Sequence, residues 1–451
     1  MIVEPTFPPR LADGVELLGE FKDSGYSKPR SLVRRADGQV IQLSRLLYLV
    51  ACRMDGTHGP LAIADLVSGE LGRSLSPGQV CYLIAKLAPL GIVAGADIAA
   101  APPTASPLLA LRARGTLLPA RAANVAGALL RPLFRWPVIA AVIAGVVATD
   151  YWVFSVHGLA AAFRQVLNDP VDLLLMALLT IVSAVFHECG HAAGCRYDGA
   201  RPGRIGIGIY LVWPSFFTNV TDSYRLGRAG RLRTDLGGVY FNLVFILALA
   251  GLYAATSAEI LLLVIGLTHL ELLQQLLPFA RFDGYFILSD LVGVPDLFAH
   301  VVPVLRGAVR GRRRGADVAG LNRRAQAVVA GWALFVIPLL TLTMGYLLLH
   351  LPEANRALWH SAGHAARLTA AGLAGHRYAA AAVDAVSTAL AAAPVAGSLF
   401  IAAGVARRAV ALGLRWSAGR PTRRFLVAVA GVNCAVLLVA LWAAQGQFRG
   451  W

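Results

Sequence analysis

Residues 171–193 read VDLLLMALLTIVSAVFHECGHAA. The first part of this stretch is largely apolar, as in a helix that crosses a bilayer, and it runs directly into His187, Glu188 and His191. Two imidazoles and a carboxylate inside a membrane span cost several kcal/mol unless the protein uses them. The stretch therefore predicts both a membrane-spanning helix and a functional site within that helix.

The composition of the whole chain is that of a membrane protein. Of the 451 residues, 57% are hydrophobic and 15% are charged, which is too apolar for a soluble chain of this length. The net charge of +16 would suit nucleic acid, but the arginines cluster beside apolar runs, which is typical of membrane topology. We expect a lipid bilayer as a partner and no nucleic acid.

Seven apolar segments are long enough, or nearly so, to cross a bilayer. They lie at 137–156, 171–193, 236–256, 259–277, 326–349, 385–405 and 425–444. Arginines are frequent in alternate connecting segments, namely Arg112–Arg135, Arg196–Arg233, Arg306–Arg324 and Arg407–Arg424. Because positive residues stay on the cytoplasmic side, this alternation predicts a multi-pass protein of the cytoplasmic membrane with a cytosolic N-terminus.

The first hundred residues have a soluble pattern. RSLVRRADGQVIQLS (30–44) predicts two strands around a turn at Asp37-Gly38. Helical stretches follow at 44–54 and 61–71, and a third opens at Ser76-Pro77-Gly78-Gln79, with Ser76 as N-cap and Gln79 completing a capping box. A hairpin with three short helices predicts a small α+β, winged-helix-like cytosolic domain.

The chain is thus expected to be a polytopic α-helical membrane protein of about seven spans behind a small N-terminal domain. The predicted units are a winged-helix-like domain at 1–100, a Pro/Ala/Arg-rich linker at 101–135, an intramembrane core at 136–300 and C-terminal membrane spans at 301–451.

His187-Glu188-Cys189-Gly190-His191 has the pattern H-E-x-x-H. On a helix, histidines at positions i and i+4 share one face and can both bind Zn²⁺, and the glutamate between them is placed to take a proton from a water molecule. A chance match is the alternative, but an unliganded group of this kind inside a span would be costly. We expect His187 and His191 as zinc ligands and Glu188 as the general base.

A catalytic zinc ion usually has a third protein ligand, and the candidate lies in LLPFARFDGYFILSDL (276–291). Asp283 follows the fourth span, which ends on the same side as the second, so it can lie at the depth of the histidine pair. Pro278 and Gly284 should break the helix and expose Asp283. The alternative is that Asp283 is only a polar turn residue at the membrane exit.

These residues resemble a known family. An H-E-x-x-H span, then a span with Gly-Gly-Val-Tyr-Phe-Asn (237–242), then Pro278 and Asp283-Gly284 resembles the site-2 proteases, in which an intramembrane zinc site cuts peptides near or within the bilayer. The resemblance covers residues 171–293. It implies His187, His191 and Asp283 as ligands, Glu188 as general base, and Asn242 as a polar residue near the site.

A narrower resemblance points to one branch of that family. WPSFFTNVTDSYRLGRAGRLR (213–233) and RFDGYFILSDLVGVP (281–295) are similar to the bacterial peptide zinc metalloproteases, a branch associated with the maturation of small ribosomally made peptides. One departure is Leu277, where the family usually has an asparagine that helps to position the substrate backbone.

The N-terminal domain carries a second resemblance. ADGQVIQLSRLLYLVACRMDG (36–56) and LSPGQVCYLIAKLAPLGIV (75–93) are similar to the precursor-peptide recognition elements of natural-product pathways. Such domains bind a leader peptide as an added strand. The alternative is a winged helix with a DNA-binding or regulatory role, but the segment has no helix rich in base-reading side chains.

Other polar residues near or between the spans have simpler interpretations. His360 and His364 share the i, i+4 spacing but lack a glutamate and should form an exposed pair outside the membrane. Cys189 and Cys195 flank the motif and are expected to be packing residues rather than ligands. The fourth span is unusually polar, and its polar residues either line a cavity or bond neighbouring helices. They are His269, Glu271, Gln274 and Gln275.

The function expected from these observations is that of an intramembrane zinc endopeptidase that removes the leader of a precursor peptide, with a product transporter as a candidate partner. One alternative keeps the chemistry and makes a membrane-anchored signalling protein the substrate. Another is a non-catalytic peptide export or immunity protein. The intact motif argues against that last alternative, because an inactive descendant would lose Glu188 first.

Overall fold

In the computed structural model, the described residues are 8–36, 40–95, 112–159, 162, 170–210, 213–278, 281–309 and 320–444. The strands are β1 (Glu16–Glu20), β2 (Arg30–Arg34), β3 (Val40–Ser44), β4 (Arg112–Leu118), β5 (Ile205–Tyr210) and β6 (Trp213–Thr218). The first helices are α1 (Arg45–Cys52), α2 (Pro60–Leu71), α3 (Pro77–Leu87), α4 (Ala120–Leu130) and α5 (Trp136–Asp150). The helices of the core and C-terminal part are α6 (Pro170–Tyr197), α7 (Arg228–Thr256), α8 (Glu259–Leu276), α9 (Asp283–Val292), α10 (Leu297–Val309), α11 (Arg323–Ala374), α12 (Tyr378–Trp416) and α13 (Pro421–Ala444).

The N-terminal unit contains the elements that its sequence predicts, with one additional strand. β2 and β3 pair antiparallel in the register Arg34–Val40, and the predicted turn residues 37–39 lie outside the described residues. β1, which the pattern did not reveal, adds to β2 on the other side. Helices α1 to α3 pack on this sheet through a common apolar cluster. The winged-helix assignment itself stays a prediction.

The start of α3 forms as predicted. The Ser76 hydroxyl accepts a hydrogen bond from the Gln79 backbone N–H, the Gln79 side chain accepts one from the Ser76 N–H, and Pro77 occupies the first turn. Because the orphan N–H groups of a helix terminus are satisfied in this way, the helix begins at a fixed residue.

Most of the remaining chain is apolar helix. By length and composition, six helices among the described residues could cross a membrane. Their bounds are Trp136–His157, Leu174–Tyr197, Arg228–Thr256, Arg323–Thr343, Val395–Trp416 and Thr422–Ala444. The expected fourth span is present as α8, but its apolar part, Ile260–Leu276, is shorter than these. α9 and α10 together form a bent pair with an angle of 60°.

The C-terminal part departs from the expected span–loop–span pattern. α11 continues to Ala374, so His360 and His364 lie on a helix, both exposed, rather than in a loop. Pro352 does not end this helix, and the residues after it are rich in alanine, which has the strongest helix propensity. The residues expected as the sixth span, 385–405, lie within α12.

A second sheet has the strand order β4-β5-β6. β4 and α4 come from the segment expected to be a linker, and α4 packs on α6: a Cβ atom on Gly127 would lie 2.8 Å from the Ala192 carbonyl oxygen. Among the described residues β6 is an edge strand of this sheet, and it ends at Thr218, next to the H-E-x-x-H helix.

Candidate metal centre

Two glycine contacts bring the H-E-x-x-H helix α6 against α7. A Cβ atom on Gly190 would lie 2.2 Å from the Gly237 carbonyl oxygen, and one on Gly194 would lie 2.6 Å from the Arg233 carbonyl oxygen. Only glycine permits backbones to approach this closely, and small residues serve the same purpose in membrane helix pairs. The close approach places the motif directly over the start of α7.

The two histidines of the motif point at the same place. Their Nε2 atoms are 3.2 Å apart, and both rings are buried, with His187 3% and His191 9% exposed. Nδ1 of His191 lies 2.8 Å from the Thr234 carbonyl oxygen. Since a carbonyl only accepts, Nδ1 carries the hydrogen, and Nε2 of the neutral ring presents its lone pair to the site. Nδ1 of His187 has no hydrogen-bond partner among the described residues.

The expected third residue joins them. Oδ2 of Asp283 is 3.1 Å from Nε2 of His187, and Oδ1 is 3.5 Å from Nε2 of His191. Asp283 occupies the first turn of α9, after the interruption at Pro278 that the sequence predicts. The expectation that this break would expose the residue is wrong, because the Asp283 side chain is 14% exposed. Gly284 packs so closely on the end of α8 that a Cβ atom would lie 2.1 Å from the Leu276 carbonyl oxygen, so α9 begins directly against the end of α8.

The three side chains approach one another at distances that suit a tetrahedral metal. With zinc–ligand bonds of roughly 2.0–2.1 Å, ligand atoms in a tetrahedron are about 3.3 Å apart. Here the two Nε2 atoms are 3.2 Å apart, one oxygen of Asp283 is 3.1 Å from Nε2 of His187, and its other oxygen is 3.5 Å from Nε2 of His191. Oδ2 of Asp283 is a buried oxygen with no hydrogen bond of good geometry among the described residues. These residues therefore fit a zinc ion, although their assignment as ligands stays a prediction.

Glu188 is buried beside this group but is held differently. Its carboxylate lies within 4.8 Å of the ligand atoms of both histidines. Oε2 of Glu188 is 2.7 Å from the Thr218 hydroxyl, which is also 2.9 Å from the Glu188 carbonyl oxygen. On distance alone Glu188 could be a fourth ligand, but Asp283 is closer to both imidazoles and Glu188 has its own anchor. The arrangement suits a base better than a ligand.

Two residues at the site were not singled out by the sequence pattern. Thr218 ends β6 and anchors Glu188. Because it is distant from the motif along the chain, the sequence pattern does not reveal this contact. Gly238 lies below the histidines: a Cβ atom there would be 2.3 Å from Nε2 of His187 and 2.6 Å from Nε2 of His191. The Gly-Gly pair was visible in the sequence, but its role in leaving room at the ligand atoms was not.

Asn242 lies one turn beyond Gly238 on α7. Its side chain is fully buried, and neither its amide nitrogen nor its carbonyl oxygen has a hydrogen-bond partner among the described residues. Unsatisfied buried amides are rare in folded proteins and cost about 1–3 kcal/mol. An amide in this state, one helical turn from Gly238, can still bond a water molecule or another polar group.

The remaining polar candidates fall outside the group. Nε2 of His269 is 3.1 Å from Oδ1 of Asp150, so this residue lies at the contact between α8 and α5. Glu271 is half-buried and near enough to the site to interact electrostatically with Asp283. Cys195 is buried and Cys189 half-buried, and neither joins the cluster of possible metal ligands formed by His187, Glu188 and His191 among the described residues.

One curated protein is similar to this chain. It is a Bacillus subtilis (strain 168) protein named "Putative peptide zinc metalloprotease protein YydH", 28% identical over 125 residues. The alignment covers 27% of this chain and 50% of the Bacillus protein, so the chain spans about half the length of the relative that it matches. No family model and no solved structure matches the chain.

Proposed function

We propose that this chain is an intramembrane zinc endopeptidase that removes the leader of a ribosomally made precursor peptide. The observation that carries the proposal is the convergence of two imidazole nitrogens and one carboxylate, with contacts of 3.1 to 3.5 Å between the side chains, beside a buried glutamate. The resemblance to a peptide zinc metalloprotease supports the same chemistry. The apolar helices around the group support an intramembrane position.

His187, His191 and Asp283 would hold the ion. When bound, Zn²⁺ supplies Lewis-acid chemistry, polarising a water molecule and the carbonyl under attack. Glu188 takes the proton of the attacking water on a carboxylate oxygen and gives it to the nitrogen of the leaving amine. Thr218 keeps this carboxylate in place, and the unsatisfied amide of Asn242 is available to the substrate backbone or to the water.

The substrate has to be extended at the cleaved bond, because a helix hides its carbonyl groups in its own hydrogen bonds. Edge strand β6 provides a template for such a segment, because a peptide paired with it would run past Thr218 and so past Glu188. Paired backbone groups would also satisfy the substrate's polar atoms in apolar surroundings.

The N-terminal unit supports a leader peptide as the part of the substrate that is recognised. β1 packs towards the membrane core, with Glu16 paired to Arg225 and Phe21 in ring contact with Tyr224. β3 is therefore the sheet edge that remains for an added strand among the described residues. We propose that this unit is cytosolic and binds the leader, while the following residues reach the zinc site.

The test is co-expression with a short peptide encoded beside the gene, read by intact-mass spectrometry. Wild type should release a fragment whose mass identifies the bond, and Glu188→Gln should not. Glu259→Gln is the matched control and should leave cleavage unchanged. This glutamate is paired with His157 at the start of α8, whereas the metal group lies near the end of that helix. Purified Glu188→Gln protein should still bind one zinc ion.

The outcomes separate the alternatives. Equal processing by wild type and Glu188→Gln would sink the peptidase proposal. No cleavage by zinc-loaded wild type in the membrane would count against a precursor peptide. It would direct the same assay to membrane-anchored signalling proteins.

A further inference from the structure

Arg231 is the largest fully buried side chain of the chain's described part, and it lies on α7 away from the metal group. Its Nε donates to Oδ1 of Asp290 on α9 at 2.8 Å. Its Nη1 donates to the carbonyl oxygens of Lys22 at 3.1 Å and Leu226 at 2.8 Å. Its Cζ lies 4.3 Å from the centroid of the Phe21 ring. One guanidinium thus contacts α7, α9 and the N-terminal unit.

The position of this pair relative to the site follows from helix geometry. Asp290 is seven residues beyond Asp283 on α9, and Arg231 is seven residues before Gly238 on α7. Seven residues make nearly two full turns, so each pair shares one helix face, about 10.5 Å apart along the axis. α7 and α9 therefore run antiparallel. At one end of the contact Arg231 faces Asp290. At the other end Gly238, which lies below the histidines, faces Asp283.

Stability alone is a weak explanation for the pair. Burying a guanidinium and a carboxylate costs several kcal/mol per ion, and apolar residues of the same size often stabilise a fold as well or better. Nη2 of Arg231 has no partner among the described residues, and a second carboxyl, that of Asp235, is buried against Asp290. The best-attested use of such buried charges is to fix the register of packed helices.

We propose that Arg231 is a positioning residue that fixes the register of α9 on α7 and so holds Asp283 at the histidine pair. This rests on the proposed function, in which Asp283 is a metal ligand. α9 needs such a device because it has only ten residues and follows a break in the chain direction. α6 does not, because its glycine contacts fix it on α7 around both histidines.

The N-terminal unit contributes to the same device. Asp23 accepts a hydrogen bond from the Arg228 backbone at 3.0 Å, and the Gly25 N–H donates to the Gly293 carbonyl oxygen, just past α9, at 2.8 Å. A Cβ atom on Gly25 would lie 2.5 Å from the Val292 carbonyl oxygen. The segment Phe21–Gly25 therefore covers Arg231 and contacts the C-terminal end of α9, whereas Asp283 lies at its N-terminal end.

The test measures metal binding by the purified full-length protein, with Zn²⁺ titrated against a chromophoric chelator and Co²⁺ followed by its visible spectrum. Arg231→Met should lower zinc affinity by about 10–100-fold, the range for residues that orient ligands, and should weaken the Co²⁺ absorption. Arg231→Lys, which keeps a charge for Asp290, should recover most of the affinity. Arg233→Met is the matched control, because that arginine lies on the same helix but pairs with Asp198 beyond α6.

A double variant separates positioning from folding. Arg231→Met/Asp290→Leu removes both charges of the ion pair, so its thermal unfolding should lie nearer that of wild type than the unfolding of Arg231→Met does, while its zinc affinity stays low. If Arg231→Met alone does not fold, the zinc affinity of the double variant still tests the positioning role. Wild-type affinity in either variant would overturn the positioning role. A wild-type protein that binds no zinc would instead sink the proposed function.

Discussion

Two adjacent glycines of α7 should respond to the same substitution in opposite ways. In Gly238→Ala the new methyl group would lie 2.3 Å from Nε2 of His187 and 2.6 Å from Nε2 of His191. Ordinary contact begins at 3.4 Å, so both nitrogens must retreat by about 1 Å. Metal–ligand distances tolerate only roughly 0.2 Å. We expect zinc affinity to fall at least roughly 100-fold, which is about 2.8 kcal/mol.

The fold should tolerate this change. The atoms displaced are the ends of two side chains, and alanine in a helix interior is favoured over glycine by about 0.8–1.0 kcal/mol. Gly237→Ala differs, because its methyl group would lie 2.4 Å from the Gly190 carbonyl oxygen and would push two backbones apart. That change should lower the free energy of unfolding by about 1–3 kcal/mol, the usual cost of overpacking.

The assay is zinc titration together with thermal unfolding of the metal-free protein in detergent. Gly251→Ala is the control, because it lies on the same helix and its Cβ atom would meet nothing within 4 Å. It should bind zinc as wild type does. Unchanged zinc affinity in Gly238→Ala would refute the assignment of the two Nε2 atoms as ligands.

Three further predictions follow from the same contacts. Thr218→Val removes the hydroxyl 2.7 Å from Oε2 of Glu188 and should slow peptide cleavage by roughly 10-fold without loss of zinc. The control, Thr180→Val, lies on the exposed side of α6 and should change neither the cleavage rate nor the zinc content. Equal cleavage rates for the two variants would show that Thr218 has no role at the site. Asn242→Leu replaces an unsatisfied buried amide, so the unfolding temperature should hold or rise while cleavage falls; full activity would show that the amide has no role. Cys52 is exposed on α1, so an impermeant thiol reagent should label it only after cells are opened, whereas labelling of intact spheroplasts would contradict a cytosolic N-terminus.

Local patterns predicted the parts of the structure that local physics determines. The capping box at Ser76 and the shared face of His187 and His191 each depend on residues within four positions of one another, and both form as expected. The break at Pro278 was also predictable, because proline lacks the N–H that a helix needs. The contacts of Thr218 and Gly238 join elements that are distant in sequence, so no local pattern contains them.

The continuation of α11 beyond its apolar part was not predicted, for a related reason. A window of hydropathy finds where a helix is apolar, not where it ends, and α11 runs on as a polar helix to Ala374. Its alanine-rich composition favours helix, and a proline at position 352 was tolerated within it. Helix bounds in such segments depend on propensity and packing rather than on the membrane.

The spacing of seven residues occurs in both segments that meet at the site, between Arg231 and Gly238 and between Asp283 and Asp290. Either spacing alone says only that two residues share a helix face. Because α7 and α9 run antiparallel, the ion pair of Arg231 and Asp290 at one end of their contact places Asp283 over Gly238 at the other end. A slip of α9 by one turn would move Asp283 by about 5.4 Å, well beyond reach of the histidines. The charged pair costs desolvation energy, but it makes that slip unfavourable, because Asp290 would then be buried without its arginine.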